Sequence, residues 1–114
     1  MTDCRFCRIA AGSIPAARVY EDERVLAIRD IDPQAPVHIL LIPRRHIASV
    51  VEAASADPGL VSHLAAAAVQ IARQEGIAER GFRLLTNTGP DGGQAVSHLH
   101  FHLLGGRPMG WPPG

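Results

Sequence analysis

An α+β domain is predicted by three observations: five short stretches of strand character, two pairs of them closing as hairpins, and a single long helical run between the third strand and the fourth. The first stretch, 4–11, carries Phe6, Ile9 and Ala10 at helical spacing and stops at Gly12. Segments 17–20 and 25–28 read as two strands joined around Glu21-Asp22-Glu23, a hairpin. Asp32-Pro33-Gln34-Ala35-Pro36 breaks the chain, and 37–42 follows as a largely apolar strand ended by Pro43. Asp57 is placed to cap a helix with Pro58 at its first position, and the helix runs to Glu75 before Gly76. A last hairpin pairs 82–86 with 95–104 across a glycine-rich loop at 87–94.

The chain has 114 residues, which is the usual size of one domain with one core, so 1–114 is read as a single domain. Eleven Arg balance eleven acids, and this zero net charge draws the chain to neither nucleic acid nor an anionic membrane. There is no Lys, which excludes Schiff-base and lysine-nucleophile chemistry. Met1-Thr2-Asp3-Cys4-Arg5 shows no leader pattern, and no apolar run reaches the roughly 20 residues of a membrane span, so a cytoplasmic protein is expected. In that reducing compartment the spacing Cys4-x-x-Cys7 suggests metal or redox chemistry more than a structural disulfide.

Along the long helix, Leu60, Val61, Leu64, Ala65, Ala67, Ala68, Val69, Ile71 and Ala72 cover roughly 200° of its surface, against about 100° for an ordinary surface helix. One sheet cannot bury all of that, and a two-fold contact with a second copy is expected.

The chemistry concentrates in Ser97-His98-Leu99-His100-Phe101-His102-Leu103-Leu104. Successive strand side chains point to opposite faces, so all three imidazoles share one face while Leu99, Phe101 and Leu103 face a core. At about 6.5–7 Å per pair of residues, His98 and His102 stand about 13 Å apart, too far for one metal with ligands about 2.1 Å away. Chemistry by the middle histidine with help from its neighbours is the sharper reading. The adjoining loop has glycines at 89, 92 and 93, which let backbone N–H groups approach an anion, and Asn87 and Gln94 add amide donors. An oxyanion held there lies beside His100, and a neutral imidazole is a competent nucleophile toward phosphorus. His38 and His46 are candidates to join the site in space. His63, on the polar side of the long helix, reads as a plain surface residue.

The elements Asp30-Ile31-Asp32-Pro33-Gln34-Ala35-Pro36-Val37-His38, Ile42-Pro43-Arg44-Arg45-His46, Asn87, Asp91-Gly92-Gly93-Gln94, His98-x-His100-x-His102-x-x-Gly105-Gly106-Arg107 and Trp111-Pro112-Pro113-Gly114 together resemble the histidine triad superfamily, in its nucleotide-binding Hint branch. The resemblance spans essentially the whole chain. It implies an α+β homodimer with one long and one short helix, whose antiparallel five-stranded sheets join across the two subunits. It also implies binding of purine nucleoside monophosphates and cleavage of adenosine 5′-phosphoramidates and acyl- or aminoacyl-adenylates through a nucleotidyl-histidine. By resemblance His100 is the nucleophile, His102, Asn87 and the Gly93 N–H contact the phosphate, with Gln94 and Ala95 beside them, and His38 lies behind the triad. Asp30 binds the ribose hydroxyls, Phe6, Ile9, Ile14, Ile28 and Ile31 line the base pocket, and Trp111 reaches toward the partner subunit's site. In many bacterial relatives two Cys and two His hold a structural zinc, and the matching set here is Cys4, Cys7, His46 and His98. No cofactor is needed for the chemical step.

Two readings compete. A dinucleoside polyphosphate hydrolase of the same superfamily usually carries a Leu-Pro-Arg-type sequel to the triad, against which Gly105-Gly106-Arg107 argues. A nucleotide-binding interaction module with weak catalysis draws support from Ala95, because several relatives have a serine hydroxyl at that position near the leaving group.

Overall fold

All residues of 25–28 and 38–43 are buried. Strands without a polar face must be covered on both sides, and that requirement organises the molecule. The computed structural model describes residues 3–114; Met1 and Thr2, where the leader reading begins, lie outside the described residues. The elements are α1 (Arg5–Ala10), β1 (Arg18–Glu21), β2 (Val25–Arg29), β3 (Val37–Pro43), α2 (Val50–Ala56), α3 (Pro58–Gln74), β4 (Phe82–Leu85) and β5 (Phe101–Gly105). The five strands form one sheet in the order β1-β2-β3-β5-β4, with every neighbouring pair antiparallel. Val25, Ala27, Ile39, Leu41, Leu99, Phe101 and Leu103 pack against Leu60, Leu64 and Ile71 of α3. Leu26, Ile28, Leu40 and Ile42 face the other way, onto Phe6 and Ile9 of α1.

The structure departs from the sequence reading in four places. The last strand starts at Phe101, so the segment 95–100 is an extended lead-in rather than strand. Leu41–Phe101 is the last register pair between β3 and β5. Beyond it the Leu99 N–H turns to the Ile47 carbonyl at 2.7 Å. The side-chain alternation nevertheless survives, with Leu99 in the α3 core and His98 and His100 buried on the α1 side. A third helix, α2, is present. Ser49 caps it by accepting from the Val51 N–H at 3.2 Å and bonds the Glu52 carboxylate, so the box Ser49-x-x-Glu52 was the available signal. Asp57 occupies the cap position of α3 but makes no cap hydrogen bond. Its two carboxylate oxygens instead each take Arg24 Nη2 at 3.1 Å.

The fourth departure is His63, whose Nε2 lies 2.7 Å from Asp22 Oδ2. Asp22 also accepts from the Tyr20 hydroxyl at 2.7 Å and from the backbone N–H groups of Arg24 and Val25 at 2.8 and 2.9 Å. Burial raises the Asp22 carboxyl, but these hydrogen bonds outweigh it and hold the group well below the usual carboxylate range. The cluster ties the β1–β2 turn to α3.

Of the nine apolar residues on the wide face of α3, Leu60, Leu64, Ala67, Ala68, Ile71 and Ala72 are buried by the sheet. Val61, packed against the core, and Ala65 are half-buried and Val69 is 38% exposed, a row at four-residue spacing that the chain's own sheet covers only in part. The edge strand β4 is half-buried along its length. Among the described residues no helix is long and apolar enough to cross a membrane.

Candidate active site

The site lies on the α1 face of the sheet, where β3, β5 and the lead-in to β5 bring four histidines together. Hydrogen-bond partners assign the ring protons. The Gln34 N–H donates to His38 Nδ1 at 3.0 Å, so the neutral His38 ring carries its proton on Nε2. That nitrogen faces His102 Nδ1 at 2.9 Å and Asp30 Oδ2 at 3.4 Å. His102 Nδ1 is thus an acceptor, which leaves the remaining proton of this ring on Nε2 as a donor. Burial, with the adjacent His100 and His38 rings, pushes His102 down to about 4 against the pull of Asp30, so at neutral pH it is this uncharged donor.

His100 is set the other way. Its Nδ1 lies 2.8 Å from the His98 carbonyl, an acceptor only, so Nδ1 holds the proton and Nε2 presents a lone pair. The His100 ring is 7% exposed, packs edge-on against Phe6 with centroids 4.9 Å apart, and lies 5.2 Å from the His102 ring. Thr86 Oγ1, which sequence reasoning did not single out, donates to the His100 carbonyl at 2.7 Å and fixes its backbone. A nucleophilic nitrogen and an N–H donor on neighbouring rings is the pair needed to attack phosphorus while holding one of its oxygens.

Beside the rings an apolar cavity of about 140 Å³ is lined by Phe6, Ile9, Ile28, Asp30 and Ile31, as the sequence reading has it, and also by Arg5, Arg29, Leu40 and Val96. Ile31, 84% exposed, forms part of that lining. Ile14 packs against the same apolar cluster without lining the cavity. Asp30 sits at the end of β2 with its N–H on the His38 carbonyl at 3.0 Å.

In the glycine-rich loop the amides are engaged internally. Asn87 Nδ2 donates to the Gly92 carbonyl at 2.7 Å, and the Gly93 N–H donates to the Pro90 carbonyl at 3.1 Å. Gln94 donates to the Ala48 and Val96 carbonyls at 2.7 and 3.0 Å and accepts from the Gly89 N–H at 3.1 Å, so it ties the loop down. Gly92 is required by packing, since a Cβ there would stand 2.3 Å from the Thr88 carbonyl oxygen. Ala95 is exposed, and Trp111 is 83% exposed in the single chain.

The remaining candidates form a second cluster. One ligand atom each from Cys4, Cys7, His46 and His98 lie within 4.8 Å of one another. His98 Nε2 is tied to the Pro43 carbonyl at 2.8 Å, which turns its Nδ1 lone pair toward Cys4 Sγ at 3.2 Å and Cys7 Sγ at 3.6 Å. His46 Nδ1 is 3.3 Å from Cys7 Sγ. In a tetrahedron with metal–sulfur and metal–nitrogen bonds of about 2.3 and 2.05 Å, a sulfur–nitrogen edge is about 3.6 Å, so the donor set fits a divalent metal with little movement. Burial and the neighbouring Cys4 raise the Cys7 thiol, a penalty that a cation between the two sulfurs removes.

The sequence model of the HIT domain matches residues 11–109 of this chain. The chain belongs to the HIT domain family. An uncharacterized HIT-like protein of Synechococcus elongatus is 54% identical over 112 residues, covering 98% of this chain and 97% of the relative. The HIT family hydrolase of Legionella pneumophila superposes with a TM-score of 0.94 at 50% identity, covering 97% of this chain and 99% of that one. A zinc-bound histidine triad family protein of Mycobacterium smegmatis gives a TM-score of 0.82 at 35% identity, covering 93% of this chain and 76% of that one. The fold of this HIT protein is that of the family's hydrolases.

Proposed function

We propose that this HIT protein is a Hint-type nucleotide hydrolase that cleaves, through His100, the phosphorus–nitrogen bond of purine nucleoside 5′-phosphoramidates and the phosphorus–oxygen anhydride bond of related acyl- or aminoacyl-adenylates. The observation that carries the reading is the opposite proton placement on adjacent rings, a lone pair on His100 Nε2 beside an N–H on His102. His100 Nε2 forms a bond to the α-phosphorus as the phosphorus–nitrogen bond breaks, and the amine leaves with a proton drawn from water. Water then attacks the nucleotidyl-histidine, releasing the nucleoside monophosphate and restoring the ring. His102 holds a phosphate oxygen throughout, and its low affinity for a second proton keeps Nδ1 free to accept from His38. Asn87 and the Gly93 N–H reach the phosphate by exchanging their bonds inside the loop. The apolar cavity takes the base and Asp30 the ribose hydroxyls. Ala95 brings no hydroxyl to the leaving group, so amine departure is the slow half of the cycle.

Zinc in the Cys4, Cys7, His46 and His98 cluster supplies structure rather than chemistry, pinning α1 to the sheet. A homodimer covers the row Val61, Ala65 and Val69 and pairs the β4 edges, which brings Trp111 toward the partner's site. Turnover of an adenosine phosphoramidate, turnover of a diadenosine polyphosphate, and AMP binding, measured on one preparation, test the reading. Phosphoramidate cleavage far above polyphosphate cleavage is the expected result. Preferred cleavage of the polyphosphate, or AMP binding with no turnover, overturns it.

A further inference from the structure

Gly105-Gly106-Arg107 follows the histidine row at the end of β5. The structure shows what it touches. A Cβ at Gly105 would stand 2.5 Å from Ile77 Cδ1, and one at Gly106, where φ is +92°, would stand 2.9 Å from Pro36 Cβ. Gly105 lets the end of β5 lie against Ile77, and Gly106 lets the chain that follows lie directly against Pro36 in the loop 30–36. Arg107 leaves from that contact, with Nη1 on the Pro108 carbonyl at 3.0 Å and Nη2 on the Gln34 carbonyl at 2.9 Å. Within the loop the Asp32 N–H donates to Asp30 Oδ1 at 2.8 Å and Gln34 Nε2 to the Asp32 carbonyl at 3.0 Å, and β3 holds it through His38, whose carbonyl and Nδ1 accept from the Asp30 and Gln34 N–H groups, each at 3.0 Å. Arg107 braces it from the far end of the chain. The carbonyl it grips belongs to the same residue whose N–H, on the preceding peptide group and 3.0 Å from His38 Nδ1, forces the His38 proton onto Nε2.

We infer that Arg107 is a positioning residue for the triad: by clamping the Gln34 carbonyl it holds the Gln34 N–H on His38, and so fixes the tautomers of His38 and His102 in the form that makes His102 Nε2 a donor to the phosphate. The inference rests on the proposed reaction for its kinetic consequence but not for its structural one. Asp30 keeps its own backbone bond to His38, so nucleotide binding depends less on this brace than the chemical step does.

The test uses the full-length protein with ¹⁵N-labelled histidine, reading ring tautomers by long-range ¹H–¹⁵N correlation at neutral pH, alongside kcat and KM for a nucleoside phosphoramidate. The native protein is expected to show single Nε2–H tautomers at His38 and His102. In Arg107→Ala both become mixtures, kcat falls about fivefold to tenfold and KM changes less than threefold, the loss of roughly one hydrogen bond. Arg107→Lys, which keeps a donor of similar reach, restores the single tautomers and most of kcat. Arg80→Ala removes a guanidinium from the same cavity as Arg107, one of about 450 Å³, and is expected to change neither readout. Arg107→Ala with unaltered tautomers overturns the inference, whether or not kcat falls, and so does a failure of Arg107→Lys to restore them. If the native protein turns over no phosphoramidate, the proposed reaction fails while the tautomer result still decides the role of Arg107.

Discussion

His98 and His100 stand two residues apart on the same face, and each ties one ring nitrogen to a backbone carbonyl. They differ in which nitrogen is tied. His98 gives Nε2 to Pro43 and points Nδ1 at two thiols; His100 gives Nδ1 to His98 and keeps Nε2 for the site. A carbonyl on one side or the other of the ring therefore separates the proposed metal ligand from the proposed nucleophile. The two clusters also share Phe6, whose ring packs edge-on against both His98 and His100.

The largest expected effect falls on the second ring alone. His100→Ala removes the attacking lone pair and lowers turnover by about 10⁴-fold or more while AMP affinity, read by calorimetry, stays within a few-fold. Asp30→Ala is expected to show the reverse, weaker AMP binding with the nucleophile intact. Next is the cluster of Cys4, Cys7, His46 and His98. The protein purified without chelator is expected to carry about one zinc per chain, and Cys4→Ser with Cys7→Ser to lose it along with roughly 10 °C of Tm. Retention of metal by that variant would sink the ligand assignment.

A smaller effect is expected at the donor ring. His102→Ala loses one hydrogen bond to a charged oxygen, typically ~1.5–3 kcal/mol, hence a tenfold to hundredfold fall in kcat with modest change in KM. Smallest is a dependence on pH. His102 titrates at about 4 in the folded chain, below an unfolded histidine, so the unfolded state takes up the proton first as pH falls. Its contribution to stability is present above the unfolded value of about 6.5 and is lost between there and about 4. After discounting for solvent screening this is on the order of 1 kcal/mol, visible as a lower urea midpoint at pH 5 than at pH 7. His102→Gln is expected to flatten that difference, and an unchanged slope in the variant would assign it elsewhere.

Much of this was legible in the sequence because period-two alternation survives even where hydrogen-bonded strand does not. His98, Leu99 and His100 keep their sides although β5 begins only at Phe101. The strands β2 and β3 and the helix α3 announce themselves by apolar runs, and β3 and α3 also by proline or glycine at their ends. What could not be read is what depends on distant backbone groups. No local pattern tells that the Pro43 carbonyl meets His98, that the Gln34 N–H meets His38, or that Arg24 draws Asp57 away from its cap. Helix α2 was missed because seven residues give too little periodicity, although its capping box was there to see.

The central claim is that His100 becomes covalently nucleotidylated. A rapid quench with a slow phosphoramidate or acyl-adenylate, followed by intact mass measurement at alkaline pH where a histidyl nucleotide survives longer than in acid, addresses it directly. A mass gain of one nucleotidyl group that maps to His100 and is absent from His100→Ala is the expected result. Full activity in His100→Ala, or a nucleotidyl group mapping to another residue, would contradict it.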